Sequence, residues 1–260
     1  MARAFGACRE AAVKAVVLAA GYATRLYPLT RDVPKSLLEV GGRTILDRLL
    51  DNVGRIAHLR EVVVVSNARF FDHFERHCLK SRRTFTIRVL NDGSTTNEQR
   101  LGAVADLALA IEQADIREDC LVLAGDNIFT FELADFVAFF HRVGADCIAV
   151  HELDDLEQLR RTGVVEVDGA SRVLSFAEKP EAPRSTLAAP PLYVYQHTTL
   201  PLVGRYLGEG HPTDAPGSFI PWLLHHRPVY AFRFRGQRYD IGDRASYAAA
   251  QRVFQATENR

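Results

Sequence analysis

Val13-Lys14-Ala15-Val16-Val17-Leu18-Ala19 runs straight into Ala20-Gly21-Tyr22-Ala23-Thr24-Arg25-Leu26-Tyr27-Pro28-Leu29-Thr30, and Pro34-Lys35 follows shortly after. The first seven residues are apolar apart from Lys14, a pattern that predicts a strand buried on both faces. The chain leaves that strand through small residues and a glycine, so backbone N–H groups there can approach phosphate oxygens closely. Arg25 and Lys35 bring fixed positive charge to the same strand end. A guanidinium suits bidentate contact with phosphate oxygens, and an ammonium serves as a compact point charge. Pro34 restricts the backbone just ahead of Lys35 and helps to aim it. No GK[ST] follows the glycine, so the loop is not a Walker loop, and it is not the dinucleotide fingerprint either. On residue types alone, an ordinary strand-to-helix connection carrying two solvated cations stays open at this point.

Outward from that strand, the pattern alternates. Thr44, with Asp47 three residues on, predicts a helix start ahead of Leu46, Leu49, Leu50 and Val53 at helical spacing. Glu61–Ser66 is a β-branched run, 85–90 reads as a third strand and 120–124 as a fourth. Leu101, Val104, Ala105, Ala108 and Leu109 form a helical stripe between the last two. Leu133, Phe136, Val137 and Phe140 mark a further helix, which Gly144 is placed to end. Strands alternating with helices predict a doubly wound, mostly parallel α/β sheet that binds ligands at the carboxyl ends of its strands. Nine of the eleven prolines lie at or beyond Pro180 and break the second half into short pieces. Strands are expected over Gly163–Val167, Val173–Glu178, Leu192–Tyr195 and 229–234, with a final helix over 245–255. The expected organisation is one domain over 1–260: a core over 13–150, then an elaboration with the C-terminal helix over 151–260 whose strands could wall a substrate pocket.

Composition narrows the partners. The chain has 260 residues, 47% hydrophobic and 25% charged, with 32 Lys plus Arg against 32 Asp plus Glu. Balanced charge gives no global field for nucleic acid or membrane, so attraction for an anionic ligand must be local. Cys8, Cys78, Cys120 and Cys147 are scattered without CxxC spacing and read as buried free thiols of a reducing cytoplasm. No signal-peptide core and no spanning apolar run are present, and 1–12 reads as a short extension before the first strand. His73 and His77 stand four apart on an expected helix, but no third ligand suggests itself for a metal.

Two carboxylates follow expected strands: Asp126 in Gly125-Asp126-Asn127, and Asp240 in Tyr239-Asp240-Ile241-Gly242-Asp243 after the strand carrying Phe232 and Phe234. Magnesium prefers oxygen donors and commonly uses one or two carboxylates together with substrate phosphates. A turn at Asp126 and a helix cap at Asp240 are the competing roles, although Asp243 is the better cap.

The run KAVVLAAGYATRLYPLT…PKSLLEVGGRTIL resembles the signature of the sugar-1-phosphate nucleotidyltransferases, the thymidylyl branch in particular. The resemblance implies a Rossmann-like fold and transfer of a nucleotidyl group from a nucleoside triphosphate, dTTP favoured, to a sugar 1-phosphate with release of pyrophosphate. It implies magnesium as cofactor, held by Asp126 and Asp240, with Arg25 and Lys35 as the catalytic cations. Leu18, Ala20, Gly21 and Gly102 would bind the nucleotide. Asn127, Gly163, Glu178 and Lys179 would hold the sugar phosphate: a carboxylate accepts from hydroxyls, a lysine grips phosphate, and a glycine admits the ring. The pattern departs from the branch in three places. Ala23 stands where many members have a second glycine, Pro190-Pro191 replaces a glycine-containing stretch, and the segment Asn91–Ala103 matches the base-reading segment only around Gly102. A glycosyltransferase using a nucleotide sugar and a non-catalytic nucleotide-sugar-binding subunit are the alternatives. The expected partners are the two small substrates, with a homo-oligomer left open, and the expected location is the cytoplasm.

Overall fold

The computed structural model describes residues 12–258, so Cys8 and residues 1–11 of the expected extension lie outside the described residues. The first strand forms as β1 (Val13–Leu18). Val16 packs into one apolar cluster while Ala15 and Val17 pack into another on the opposite face, the two-residue alternation of a strand covered on both sides. Lys14 is tolerated because its ammonium reaches Glu61 at 3.1 Å and Glu118 at 3.7 Å.

Two short strands, β2 (Glu39–Val40) and β3 (Arg43–Thr44), lead into α1 (Ile45–Val53). Then come β4 (Leu59–Ser66), α2 (Phe71–Leu79), β5 (Thr86–Asn91), α3 (Ala103–Gln113), β6 (Asp119–Ala124), β7 (Asn127–Phe129), α4 (Leu133–Val143) and β8 (Asp146–Glu152). The second half adds α5 (Leu156–Leu159), β9 (Gly163–Val167), β10 (Val173–Glu178), β11 (Leu187–Ala189), β12 (Leu192–Tyr195), α6 (Leu200–Gly208), α7 (Phe219–Leu224), β13 (Val229–Arg233), β14 (Arg238–Asp240) and α8 (Arg244–Glu258). Local signals explain the ends. The Thr44 hydroxyl accepts from Asp47 N–H at 3.0 Å at the start of α1, and Gly144 closes α4 in the left-handed region at φ 67°.

The central sheet runs β10-β9-β11-β8-β12-β6-β1-β4-β5, with β13 paired to β8. β6, β1, β4 and β5 are mutually parallel, and β8 and β13 are parallel to each other. β12 runs antiparallel between β6 and β8, so the second half of the chain enters the middle of the sheet. Pro190-Pro191 separates β11 from β12 because proline has no N–H for the ladder, yet the Pro191 carbonyl still accepts from Ala124 N–H at 3.1 Å. One core, with α3, α6 and α7, covers one face, and a second, with α1, α2 and α4, covers the other. A third, smaller cluster of Leu26, Leu38, Val40, Ile45, Ile128, Ile241 and Ala250 ties the loop after β1 to α8.

Two expectations are corrected. The stripe expected from Leu101 loses its first member: Leu101 lies before the helix and is exposed, while Val104, Ala108 and Leu109 pack inward together with Leu107, Ala110 and the buried Asp106. The cause is Gly102, whose φ of 94° is outside helical geometry and sets the helix start. Asp240 does not directly follow the strand carrying Phe232. It ends the separate strand β14, which pairs antiparallel with β7 in its own two-stranded sheet.

Candidate active site

The loop after β1 is fastened from beneath. Ala19 N–H continues the ladder to the Val65 carbonyl at 2.9 Å, and buried Asn67 donates its amide to the Ala20 carbonyl at 2.8 Å. Tyr22, 4% exposed, donates its hydroxyl to the Ser94 carbonyl at 2.9 Å. Ala23 then adopts φ 48°, ψ 42°, and its carbonyl accepts from the buried Thr30 hydroxyl at 2.8 Å. The left-handed conformation costs a residue with a Cβ roughly 1–2 kcal/mol. Ala23→Gly is therefore expected to raise stability by about 1 kcal/mol, read as a higher urea midpoint at unchanged slope. A short 3₁₀ turn, Thr24–Leu26, follows, with Leu26 fully buried and Arg25 exposed beside it. Leu26 thus anchors Arg25 at the cleft.

Lys35 opens a second 3₁₀ turn after Pro34, whose φ −65°, ψ 145° is the extended geometry that proline enforces. Its ammonium lies 2.6 Å from Asp126 Oδ2. Gly125, just before Asp126, packs so closely that an added Cβ would meet Ser36 Oγ at 2.7 Å and the Leu18 carbonyl at 3.2 Å. The β7–β14 pair brings the second carboxylate in: Asp240 pairs with Asn127, and Ile241 N–H donates to the Asp126 carbonyl at 3.0 Å. Burial works to raise the Asp126 carboxyl, but the Lys35 ammonium and the Arg238 guanidinium outweigh it and hold it below the ordinary carboxylate range. Desolvation, and then the negative charge of Asp126, push Asp240 above that range.

Arg238 is the residue that sequence reasoning missed. Its guanidinium donates from Nε to Asn127 Oδ1 at 2.5 Å and pairs through Nη2 with Asp240 Oδ2 at 2.9 Å. The signal was available: it stands two before Asp240, and strand alternation puts the two on one face. Asn127, 1% exposed, has its amide nitrogen on Asp126 Oδ1 at 2.6 Å, so both ends of its side chain are engaged within the carboxylate cluster.

Glu178 ends β10 opposite Gly163 of β9. Burial raises the Glu178 carboxyl against the opposing charge of Lys179, whose ammonium is 3.9 Å away. Gly163 and Gly217 are both required by close approach. A Cβ on Gly163 would stand 2.5 Å from the Phe176 ring, and one on Gly217 would stand 2.0 Å from Glu178 Oε2. Gly102 is tighter still in backbone terms. At φ 94° an added Cβ would lie 2.7 Å from Thr213 backbone atoms, so Gly102→Ala is expected to destabilise by about 1–3 kcal/mol, measured by urea unfolding.

These residues line two joined hollows. One, of about 500 Å³, is walled by Leu18 to Arg25, Lys35, Gly102, Asp106 and Asp126. The other, of about 230 Å³, is walled by Asn127, Gly163, Glu178, Lys179, Arg238 and Asp240. Arg25 and Asp126 line both and stand where the two meet. A third hollow of about 710 Å³, with Arg160, Arg161 and Ser246, shares Arg25, Lys179 and Asp240 with the second. Predicted site residues are thus gathered on one edge of the sheet, while His73 and His77 stand apart on α2, His77 3.1 Å from Asp47.

The family model described as nucleotidyl transferase matches residues 14–257. The chain belongs to the nucleotidyl transferase family. It is an enzyme of the sugar-1-phosphate nucleotidyltransferase class. The UTP–glucose-1-phosphate uridylyltransferase AglF of Haloferax volcanii is 30% identical over 258 residues, 95% of this chain and all of that protein. A glucose-1-phosphate adenylyltransferase of Rhodopirellula baltica is 30% identical over 84% of this nucleotidyltransferase, which spans only 53% of that relative. Among solved structures, a UDP-glucose pyrophosphorylase complexed with UDP-glucose aligns at TM-score 0.80 and 16% identity, over 96% of this chain and all of that one. A Bacillus anthracis protein assigned as a glucose-1-phosphate thymidylyltransferase, solved with sucrose, aligns at TM-score 0.76 and 23% identity, over 94% of this chain and 96% of that one. At those identities the likeness shows the shared mixed α/β fold alone.

The donor set at the junction suits a hard divalent ion. Asp126 and Asp240 supply oxygen only, Asp240 Oδ1 has no hydrogen-bond partner among the described residues, and Asp126 draws Asp240 upward in pKa as a close like charge does.

Proposed function

We propose that the junction of the two hollows is where a sugar 1-phosphate attacks the α-phosphorus of a nucleoside triphosphate. The observation that carries this is the sharing of Arg25 and Asp126 by the loop-walled cleft and the Glu178-walled cavity. The new bond joins the sugar phosphate oxygen to the α-phosphorus, the bond from that phosphorus to the β-phosphate oxygen breaks, and pyrophosphate leaves. A phosphomonoester has its second pKa at about 6, so the attacking oxygen is already ionised at neutral pH and no general base is needed. Catalysis is positioning and charge stabilisation. Arg25, exposed and with no carboxylate at bonding distance among the described residues, is the guanidinium for the developing charge. Lys35 neutralises phosphate oxygens from the Asp126 side. Asp126 and Asp240 would hold magnesium, which when bound supplies charge neutralisation on the triphosphate. Leu18, Ala20, Gly21 and Gly102 wall the nucleotide. Glu178 accepts from sugar hydroxyls, Lys179 takes the sugar's phosphate, and Gly163 admits the ring. Asn127, expected on the sugar phosphate but engaged with Asp126 and Arg238, instead joins Arg238 in positioning the two aspartates.

The resemblance favours dTTP, while relatives carry names that specify UTP or are adenylyltransferases. The residues of the cleft bear on the base separately from those names. A cytoplasmic location belongs to the same reading, supported by the buried thiols of Cys120 and Cys147; among the described residues no helix is long and apolar enough to cross a membrane. The test is product identity. The protein, magnesium and a sugar 1-phosphate are incubated with each of ATP, GTP, CTP, UTP and dTTP and followed by phosphorus NMR. Pyrophosphate and a nucleoside-diphosphate sugar, formed together, are expected with at least one triphosphate. No pyrophosphate with any triphosphate across a panel of sugar 1-phosphates would remove the reading.

A further inference from the structure

Asp106 sits in the first turn of α3, four residues after Gly102, and lines the loop-walled cleft. It is 6% exposed, and its carboxylate oxygen Oδ1 is buried with no hydrogen-bond partner among the described residues. Nothing in the transfer reaction described above uses it. A carboxylate buried without a donor is costly, and such a group in a folded chain calls for a partner. Other buried polar groups in the neighbourhood are satisfied: Asp92 accepts from the Ser94 N–H at 2.7 Å and its hydroxyl at 2.8 Å, and Asn67 both donates and accepts.

Sheet order tells which end of the cleft Asp106 occupies. β6, which delivers Asp126, lies on one side of β1, while β4 and β5 lie on the other. Asp106 is in the opening turn of α3, which packs against β1 and β4, and the charge acting on it is that of Asp92 just beyond β5. Asp126, in contrast, is paired with Lys35 at 2.6 Å and lies near Arg238. Asp106 is therefore at the end of the cleft away from the phosphate cations, where a triphosphate with its phosphates at Arg25 and Lys35 places its base. Burial, with the nearby Asp92, raises its carboxyl to about 7, so a donor from a ligand would draw it into the ionised form.

We propose that Asp106 reads the base of the donor nucleotide and selects a base bearing an amino group on its hydrogen-bonding edge over uracil and thymine. The inference rests on the placement of the triphosphate in this cleft. An ionised carboxylate only accepts hydrogen bonds. Cytosine and adenine offer it an amino N–H, and guanine offers an amino group beside a ring N–H. Uracil and thymine flank their single ring N–H with carbonyl oxygens, which a carboxylate repels.

The experiment measures equilibrium affinity of the full chain for ATP, GTP, CTP, UTP and dTTP with magnesium at pH 8, in wild type, Asp106→Asn and Asp106→Leu. Wild type is expected to bind at least one amino-bearing triphosphate roughly 10- to 100-fold more tightly than UTP and dTTP. Asp106→Asn gains a donor for a carbonyl oxygen, so the preference should narrow by about tenfold or reverse toward UTP and dTTP. Asp106→Leu should lose discrimination while unfolding at the same or higher urea concentration, because it relieves a buried unpaired carboxylate. Tighter binding of UTP or dTTP by wild type, an equal loss for all five in Asp106→Asn, or binding of none would overturn the inference. Pyrophosphate release on the same samples separates the two ideas. Turnover with a base preference that Asp106 does not move refutes only the base-reading role. A preference that follows Asp106 without any turnover refutes only the transfer reaction.

Discussion

Arg25→Ala is expected to lower turnover by at least about a hundredfold while the urea unfolding midpoint stays within experimental error of wild type. The size follows from the loss of one charged donor aimed at a reacting phosphoryl group, which typically costs about 10²–10³ in rate. The unchanged stability follows from exposure. The Arg25 side chain projects from a 3₁₀ turn that Leu26 and the Thr30–Ala23 hydrogen bond hold without it. The loss should fall on kcat more than on KM, since the charge it meets is largest in the transition state. A variant with near wild-type kcat would remove Arg25 from the reaction and leave it as a solvated cation beside the cleft.

Asp126→Asn is expected to cost more, on the order of 10³-fold in kcat, because it disturbs two things at once. It takes a negative charge from the carboxylate pair that would hold magnesium. It also takes the partner from Lys35, whose side chain is only 14% exposed and whose ammonium sits 2.6 Å from Asp126 Oδ2. The two effects separate on a magnesium titration. Loss of a metal ligand raises the magnesium concentration at half-maximal rate, and Asp240→Asn should raise it too. A lower kcat with an unchanged magnesium requirement would assign Asp126 to Lys35 alone.

Much of the first half was legible because its strands are buried on both faces and therefore written as continuous apolar runs. β1, β4 and β6 are of this kind, and their carboxyl ends are where Gly21, Arg25 and Asp126 were sought. The second half was legible in pieces but not in topology. Val173–Glu178 and Leu192–Tyr195 form at the expected residues, yet nothing local in Leu192-Tyr193-Val194-Tyr195 says that it threads antiparallel between β6 and β8. Such pairings are set by long-range contacts that a window of sequence does not contain. β8 was not anticipated although it is central, because Asp146–Glu152 follows α4 after only Gly144 and Ala145 and its apolar run is short. β14 was hidden for another reason: three residues, Arg238–Asp240, carry no periodicity to read. That strand supplies Arg238 and the geometry that sets Asp240 beside Asp126. Asp106 shows the reverse failure, since a carboxylate inside a helix reads as a solvated face until burial shows it pointing inward.

Running the reaction backwards tests the central claim most directly. The bond broken and the bond formed are both phosphoanhydrides, so an enzyme that joins a nucleotidyl group to a sugar phosphate must also catalyse the reverse. The protein is incubated with magnesium, pyrophosphate and a panel of nucleoside-diphosphate sugars. The account predicts a nucleoside triphosphate and a sugar 1-phosphate in equal amounts, only when pyrophosphate is present, and at least about a hundredfold more slowly with Arg25→Ala. Cleavage that ignores pyrophosphate and releases a nucleoside diphosphate would contradict it and assign the cleft to glycosyl transfer instead.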